Sequence, residues 1–168
     1  QTFPPNDPYY SYQAWHYDQI SLPAAINRLV SFTPATEDAP LVAVVDSGIV
    51  ADHPDLRSQL VAGFDFVSDV RNGDGDGVDP DPDDSVTTTG WSFHGTHVAG
   101  TVAAATYNDL GMAGVAPIAR ILPVRVLSNV SGYGSFFDTW HGIAYAAGLE
   151  NVSGKLPARR ADVINLSL

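Results

Sequence analysis

The 168-residue sequence contains no cysteine, which excludes disulfides and thiol chemistry. Basic residues are also scarce: eight lysines and arginines stand against nineteen acidic residues, giving a formal net charge of −11. This imbalance disfavours nucleic-acid backbones and anionic membranes as partners, and it favours cations. No apolar run approaches the roughly 18 residues of a membrane-spanning helix. We therefore expect neither a nucleic-acid partner nor a membrane partner.

The remaining composition is that of a folded globular domain. Hydrophobic residues make up 45% of the chain and charged residues 16%. The acidic residues are mostly aspartate, seventeen of nineteen, and eight of these lie between positions 65 and 84. Because aspartate in glycine-rich loops is typical of calcium sites, we interpret residues 68–90 as an Asp-rich loop insert that binds Ca²⁺.

Hydrophobic patterning predicts that strands and helices alternate along the chain. Continuous apolar runs predict strands at 41–45, 121–127 and 161–168, with a further apolar stretch at 60–67. Helical spacing predicts helices at 23–32, 94–105 and 136–148. This alternation favours an α/β fold, with a mostly parallel sheet and helices on both faces. Residues 1–19, rich in proline and tyrosine, predict an N-terminal arm laid over the surface.

The last predicted strand suggests that the domain is incomplete. Residues 163–168 have the apolar sequence of an interior strand, and the chain ends within it. Complete domains usually end at exposed positions. We therefore expect residues 1–168 to be the N-terminal portion of one domain whose remainder lies elsewhere.

Two residues could form a catalytic pair. Asp46 directly follows the most apolar predicted strand, at the carboxyl end where ligands gather in open parallel sheets. A turn-forming aspartate before Ser47 is the alternative. His94 opens a predicted helix, where a histidine could instead be a cap or a surface residue. Together, a carboxylate and an imidazole can act as a general base that awaits a nucleophile.

Segments along almost the whole chain resemble the subtilisin-like serine proteases, the subtilases. They are VAVVDSGI at 42–49, HPDL at 53–56, HGTHVAGT at 94–101, GVAP at 114–117 and VINLSL at 163–168. Asp46 and His94 match the first two members of the Asp…His…Ser chain order of subtilisin. The resemblance implies a secreted serine endopeptidase in which Asp46 is the acid of the triad, His94 is the general base and His97 is structural.

The resemblance also implies a cleft for an extended polypeptide substrate. The positions that correspond to this cleft are Gly132, Tyr133, Gly134, Phe136, Ser167 and Leu168. The first three resemble an edge strand that pairs with the substrate backbone, and the last two begin the strand on the opposite side. Phe136 corresponds to an aromatic residue of a distal apolar pocket, although a core aromatic is an equal alternative.

The chain departs from the family pattern at the nucleophile. No serine lies in the Gly-Thr-Ser-Met-Ala setting of the family nucleophile, and the segment with the oxyanion-hole asparagine is also missing. We expect this chain to be inactive alone and to need a downstream segment or a second chain that supplies both groups. The alternative function is that of a non-catalytic subtilase fragment that binds calcium and peptide.

Two calcium sites are expected. The resemblance implies one shared site, formed by the side chains of Asp7, Asp55 and Asn108 and the carbonyls of Thr106, Leu110 and Met112. The second would use Asn72, Asp74, Asp76 and Asp79, which match the first half of an EF-hand loop. Position twelve of that loop is Asp83 rather than glutamate, so it is not an EF-hand, and a solvated acidic loop is the alternative. A zinc site at Asp46, His94 and His97 is a further alternative.

Overall fold

The computed structural model describes residues 3–29, 38–71, 74–84, 93–128 and 130–168. The described elements, in chain order, are α1 (Tyr10–Gln19), α2 (Leu22–Leu29), β1 (Leu41–Asp46), β2 (Phe64–Asp65), α3 (His94–Ala103), β3 (Arg120–Arg125), α4 (Phe136–Ala146) and β4 (Val163–Leu166). Within these ranges, no helix combines the length and the apolar character needed to cross a membrane.

The four strands form a parallel sheet in the order β2-β3-β1-β4. Every residue of β1 is buried. Val45 of β1 is in register with Val124 of β3 on one side and with Leu166 of β4 on the other. Because the strands are parallel, their carboxyl ends meet at one edge of the sheet, where β1 ends in Asp46.

Helices cover both faces of the sheet, which confirms the predicted α/β architecture. On one face, Tyr145 and Ala146 of α4 pack in a cluster with Val45. On the other face, Ala99 and Ala103 of α3 pack in a cluster that contains Val44 and Ile121. The two clusters arise because successive residues of a buried strand point to opposite faces.

The N-terminal arm carries a helix, α1, that the sequence did not predict. Tyr17 of α1 is fully buried, and its hydroxyl donates a hydrogen bond to the Ala113 carbonyl at 2.6 Å. Gln13, one turn earlier, donates to the same carbonyl at 2.9 Å and accepts from the Ala113 amide at 2.9 Å. The arm is therefore fixed to the loop after α3 by these polar contacts and by a small cluster in which Tyr17 packs with Leu22 and Ala113. Residues 30–32, the expected end of α2, lie outside the described residues.

The last strand forms where the sequence predicted it. β4 lies at the edge of the described sheet, where its residues are half-buried or exposed. An interior place for this strand in a larger domain stays a prediction. Its pairing with β1 is parallel and in the expected position.

The described part of the Asp-rich insert lies against the carboxyl end of the sheet. Asp83 pairs with Ile49 in a parallel bridge, and Asp79 pairs with Asp65 in an antiparallel bridge. Residues 72–73 and 85–90 of this insert lie outside the described residues.

Candidate active site

Asp46 and His94, which the sequence predicted as a pair, are in direct contact. Asp46 is fully buried at the end of β1, and His94 is the first residue of α3. The His94 Nδ1 atom lies 2.7 Å from the Asp46 Oδ1 atom, and the His94 side chain is 52% exposed. A carboxylate that accepts the Nδ1 proton leaves Nε2 unprotonated and able to accept a proton. The geometry is that of a general base with one face open to solvent.

The chain brings β1 and α3 together through two glycines. A Cβ atom at Gly95 would lie 2.3 Å from the Gly48 carbonyl oxygen, so only a residue without a side chain permits this approach. Gly48 itself has φ +109°, a region that favours glycine. The Ser47 amide donates to Asp46 Oδ1 at 2.7 Å and fixes the carboxylate at the turn.

The predicted cleft residues follow the carboxyl ends of two strands that flank β1. Residues 132–134 follow β3, and Ser167 and Leu168 follow β4, so both segments lie on the Asp46 edge of the sheet. Residues 132–134 are not a regular strand, which differs from the predicted edge strand, because the Tyr133 carbonyl accepts from Ser128 in a local turn. Phe136 is 88% exposed and is therefore not a core aromatic.

The three side chains of the first predicted calcium site are brought together. Asp7 and Asp55 are both buried. Asp7 accepts from the backbone amide of Tyr107 at 2.9 Å, and Asp55 accepts from the Asn108 side-chain amide at 2.8 Å and from the Met112 backbone amide at 2.9 Å. Within the described part of the chain, neither carboxylate has a basic partner.

Two buried carboxylates at one loop, without a basic partner there, fit a bound cation. Thr106 and Leu110, whose carbonyls were predicted as further ligands, belong to the same loop. Gly111 follows closely, with φ +44°, and a Cβ atom at this position would lie 2.3 Å from Asp55 Oδ2. The loop is thus shaped around the Asp55 carboxylate.

The second predicted calcium site has a different composition in the structure. Carboxylate oxygens of Asp65, Asp74 and Asp79 lie within 4.8 Å of one another and could hold a metal ion. Asp65, which the sequence reasoning missed, belongs to this group, whereas the predicted ligand Asp76 is exposed and outside it. The predicted ligand Asn72 lies outside the described residues. The signal that could have found Asp65 is its position at the end of an apolar stretch, as for Asp46.

A buried arginine already provides positive charge to this acidic group. Arg125 is fully buried at the end of β3, and its Nη1 atom lies 3.1 Å from Asp65 and 2.6 Å from Asp74. Burial nevertheless raises the pKa of Asp65 to about 8, against the lowering effect of Arg125. A metal ion at these carboxylates would therefore share them with the guanidinium group.

The zinc alternative finds no support in the structure. Across the described ranges, the acidic group of Asp65, Asp74 and Asp79 is the only cluster of three or more potential metal-ligating side chains. Asp46, His94 and His97 do not form a second one.

The family assignment follows from sequence comparison. The profile of the Subtilase family matches residues 37–168, which include Asp46, His94 and all four strands. The chain belongs to the subtilase family.

Relatives of this subtilase include named proteases of several bacteria. It is 40% identical to an extracellular protease of Xanthomonas campestris and covers 30% of that protein, with 99% of the present chain matched. It is 39% identical to thermitase of Thermoactinomyces vulgaris, with 86% of the present chain and 44% of thermitase covered. The subtilase chain thus spans less than half the length of these two relatives.

A solved structure has the same fold over almost the whole chain. A protease from Pseudoalteromonas arctica superposes with a TM-score of 0.81 at 38% identity. The match covers 98% of this subtilase and 50% of the solved chain.

Proposed function

We propose that this subtilase is part of a secreted serine endopeptidase whose nucleophilic serine and oxyanion-hole asparagine come from a downstream segment or a second chain. The observation that carries the proposal is the 2.7 Å contact between the buried Asp46 carboxylate and the half-exposed His94 imidazole. The coverage of only 30% to 50% of related proteins is consistent with further segments in the active enzyme. Secretion is supported by relatives of Xanthomonas campestris and Dichelobacter nodosus that are named as extracellular proteases.

In the proposed reaction, His94 takes a proton from the serine hydroxyl and later gives it to the leaving amine. Its Nε2 atom accepts the proton of the serine hydroxyl as the serine oxygen attacks the scissile carbonyl, and the proton then goes to the leaving amine. Water hydrolyses the resulting acyl-enzyme by the reverse sequence of transfers. Asp46 keeps its charge throughout and stabilises the imidazolium.

An extended polypeptide is the proposed substrate. It would lie between residues 132–134 and the segment after β4, pairing through its backbone, with side chains in adjacent pockets. The exposure of Tyr133, at 80%, and of Phe136 supports this placement, since exposed aromatic side chains can form the walls of an apolar pocket.

The function is tested in the full-length protein, with the serine segment present. We expect His94→Ala to lower kcat about a millionfold and Asp46→Asn about ten-thousandfold, the scale of such losses in serine proteases. His97→Ala, on the same helix, is the matched control and should retain most of the activity. A serine-directed organofluorine reagent should block hydrolysis.

Two results would contradict the endopeptidase proposal. Hydrolysis that resists both the reagent and His94→Ala would exclude a serine-protease mechanism. Binding of peptide and calcium by the full-length protein, without any hydrolysis, would favour the alternative of a non-catalytic fragment.

We further propose that Ca²⁺ stabilises the fold at both acidic sites. At the first site it would be held by the side chains of Asp7, Asp55 and Asn108, together with carbonyls of the loop from Thr106 to Met112. At the second site Asp74 and Asp79 would act with Asp65. At both sites the ion would neutralise carboxylates that come from segments far apart in the sequence and would hold these segments together. It would take no part in peptide hydrolysis.

Calcium binding is measured by isothermal titration calorimetry on full-length protein from which calcium has first been removed with a chelator. Asp55→Asn should remove the heat of one site, and Asp79→Asn should remove that of the other. Calcium in excess should raise the melting temperature, because a ligand at one hundred times its Kd stabilises by about 2.7 kcal/mol. The absence of both heat and a melting shift would refute both sites.

A further inference from the structure

Helix α3, which carries His94, does not cap its own N-terminus. The first amides of a helix have no partner within the helix and need acceptors from elsewhere. The residue before the helix, Phe93, has a left-handed backbone with φ +69°, and its side chain provides no cap. Other segments provide the acceptors: the Phe93 amide donates to Asp84 Oδ2 at 2.8 Å, and the Gly95 amide donates to Ser47 Oγ at 3.0 Å.

These two acceptors are joined to each other and to the catalytic acid. The Ser47 hydroxyl donates to Asp84 Oδ2 at 2.8 Å, and the Ser47 amide donates to Asp46 Oδ1 at 2.7 Å. Asp84 is fully buried, and Ser47 is 2% exposed. Ser47 is therefore the common neighbour of the acid, of the helix that carries the base, and of a second buried carboxylate.

We propose that Asp84 is a positioning residue for the Asp46–His94 pair and acts through Ser47. By accepting a hydrogen bond from the Ser47 hydroxyl, Asp84 orients the Ser47 lone pairs toward the amide of Gly95. This holds the first turn of α3 at the end of β1, where His94 must meet Asp46. The inference rests on the proposed function, since it assigns a role in the geometry of that same site.

The electrostatic surroundings act on Asp84 in both directions. A negative charge near the N-terminus of a helix is favourable because the helix dipole is positive there. The pKa of Asp84 is nevertheless raised, because burial and the charge of Asp46 outweigh the hydrogen bonds from Ser47 and Phe93 and the charge of Arg125. The backbone also fixes Asp84, because its amide donates to the Ile49 carbonyl at 3.1 Å, three residues beyond Asp46.

The Asp84 side chain offers two variants that separate its charge from its hydrogen bonds. Both donors reach Oδ2, while the buried Oδ1 has no hydrogen-bond partner in the described part of the chain. Asp84→Asn can therefore keep an oxygen at the Oδ2 position while it loses the charge and places an amide group at the buried Oδ1 position. Asp84→Ala loses both acceptor contacts. Asp81→Asn is the matched control, because Asp81 is an exposed carboxylate of the same segment.

The experiment measures steady-state peptide hydrolysis by these variants of the full-length protein. We expect Asp84→Ala to lower kcat about 10- to 100-fold with KM nearly unchanged, because small misplacements of catalytic groups cost up to about 100-fold. Asp84→Asn should lose less, and Asp81→Asn should match the wild type. Ser47→Ala should resemble Asp84→Ala, and the double variant should be little worse than either, since both act through one contact.

A spectroscopic readout distinguishes positioning from stability alone. The proton between His94 Nδ1 and Asp46 has a proton NMR resonance far downfield, which should shift or broaden in Asp84→Ala and stay in place in Asp81→Asn. If Asp84→Ala does not fold, Asp84→Asn should show the same shift to a smaller extent. An unchanged kcat, or a lower kcat with an unmoved resonance in the folded variant, would overturn the inference. Unimpaired hydrolysis by His94→Ala would instead refute the proposed function.

Discussion

Tyr17 is the residue whose ionisation is most clearly coupled to the fold among the described tyrosines. Its hydroxyl is buried, donates to the Ala113 carbonyl at 2.6 Å and accepts from the Gln13 side chain at 2.8 Å. Burial raises the pKa of Tyr17 to about 12, from an ordinary value of 10.0. The folded protein thus favours the protonated phenol, because a phenolate would lose its hydrogen bond to the carbonyl.

This shift predicts how stability changes in alkaline solution. Because the folded pKa lies above the unfolded one, the contribution of Tyr17 is complete below about pH 10 and is lost as the pH rises through about 12. Ultraviolet absorbance titrations of wild type and Tyr17→Phe should differ by the absorbance change of one phenol that ionises near pH 12. Between about pH 10 and pH 12, the free energy of unfolding should fall less in Tyr17→Phe than in the wild type. A difference step near pH 10 would contradict the prediction.

At the residue scale, the sequence predicted those site residues whose positions are local signals. Asp46 ends an apolar strand, and His94 opens a helix, so pattern and motif both indicate them. Asp84, inside the Asp-rich insert, gives no such signal, and the signal of Asp65, its position at the end of an apolar stretch, was not used. Their importance depends on contacts with residues far along the chain: Ser47 is 37 positions before Asp84, and Arg125 lies on another strand. Spacing alone therefore selected Asp76, which the structure leaves exposed.

At the scale of elements, close packing of α4 depends on a glycine. A Cβ atom at Gly142 would lie 2.5 Å from Val126 Cγ1 and 3.1 Å from Val124 Cγ1. We expect Gly142→Ala to destabilise the protein by roughly 1–3 kcal/mol, the usual cost of overpacking a core. Denaturant unfolding of the full-length protein measures this loss as a shift of the midpoint.

The matched control is a glycine in α3 with open space around it. A Cβ atom at Gly100 would meet nothing within 4 Å in the described structure. Gly100→Ala should therefore stabilise the protein by about 0.5–1 kcal/mol, because alanine restricts the unfolded chain and favours a helix. Equal changes in the free energy of unfolding for Gly142→Ala and Gly100→Ala would show that packing against the sheet does not cause the destabilisation at Gly142.

Elements were predicted well where an aliphatic pattern determines them and poorly where other contacts do. β1 and β3 are buried on both faces and were found from continuous apolar runs. α1 was missed because it has no aliphatic stripe: Tyr12 and Trp15 are exposed, and the helix is fixed by Gln13 and Tyr17. An apolar sequence also identified β4 correctly as a strand, and because the chain ends within this run, an unpaired sheet edge was expected there.

At the scale of the whole molecule, the last two elements carry exposed apolar side chains. On α4, Phe136, Phe137 and Trp140 are exposed, and on and after β4 Val163, Leu166 and Leu168 are exposed. In the described sheet, β4 pairs only with β1. An unpaired strand edge and exposed aromatic groups both promote association between molecules.

This surface predicts the behaviour of residues 1–168 produced alone. We expect poor solubility, binding of a hydrophobic dye and a broad thermal transition, because the edge of β4 and the face of α4 remain uncovered. Production together with the proposed segment that carries the serine should remove the dye binding and give a cooperative transition. Val163→Lys and Leu166→Lys should improve solubility of the short chain, since charges on an edge strand oppose pairing between molecules. A soluble monomer with a sharp cooperative melt, obtained from residues 1–168 without substitutions, would show that the four-stranded sheet is stable by itself, and it would contradict the prediction.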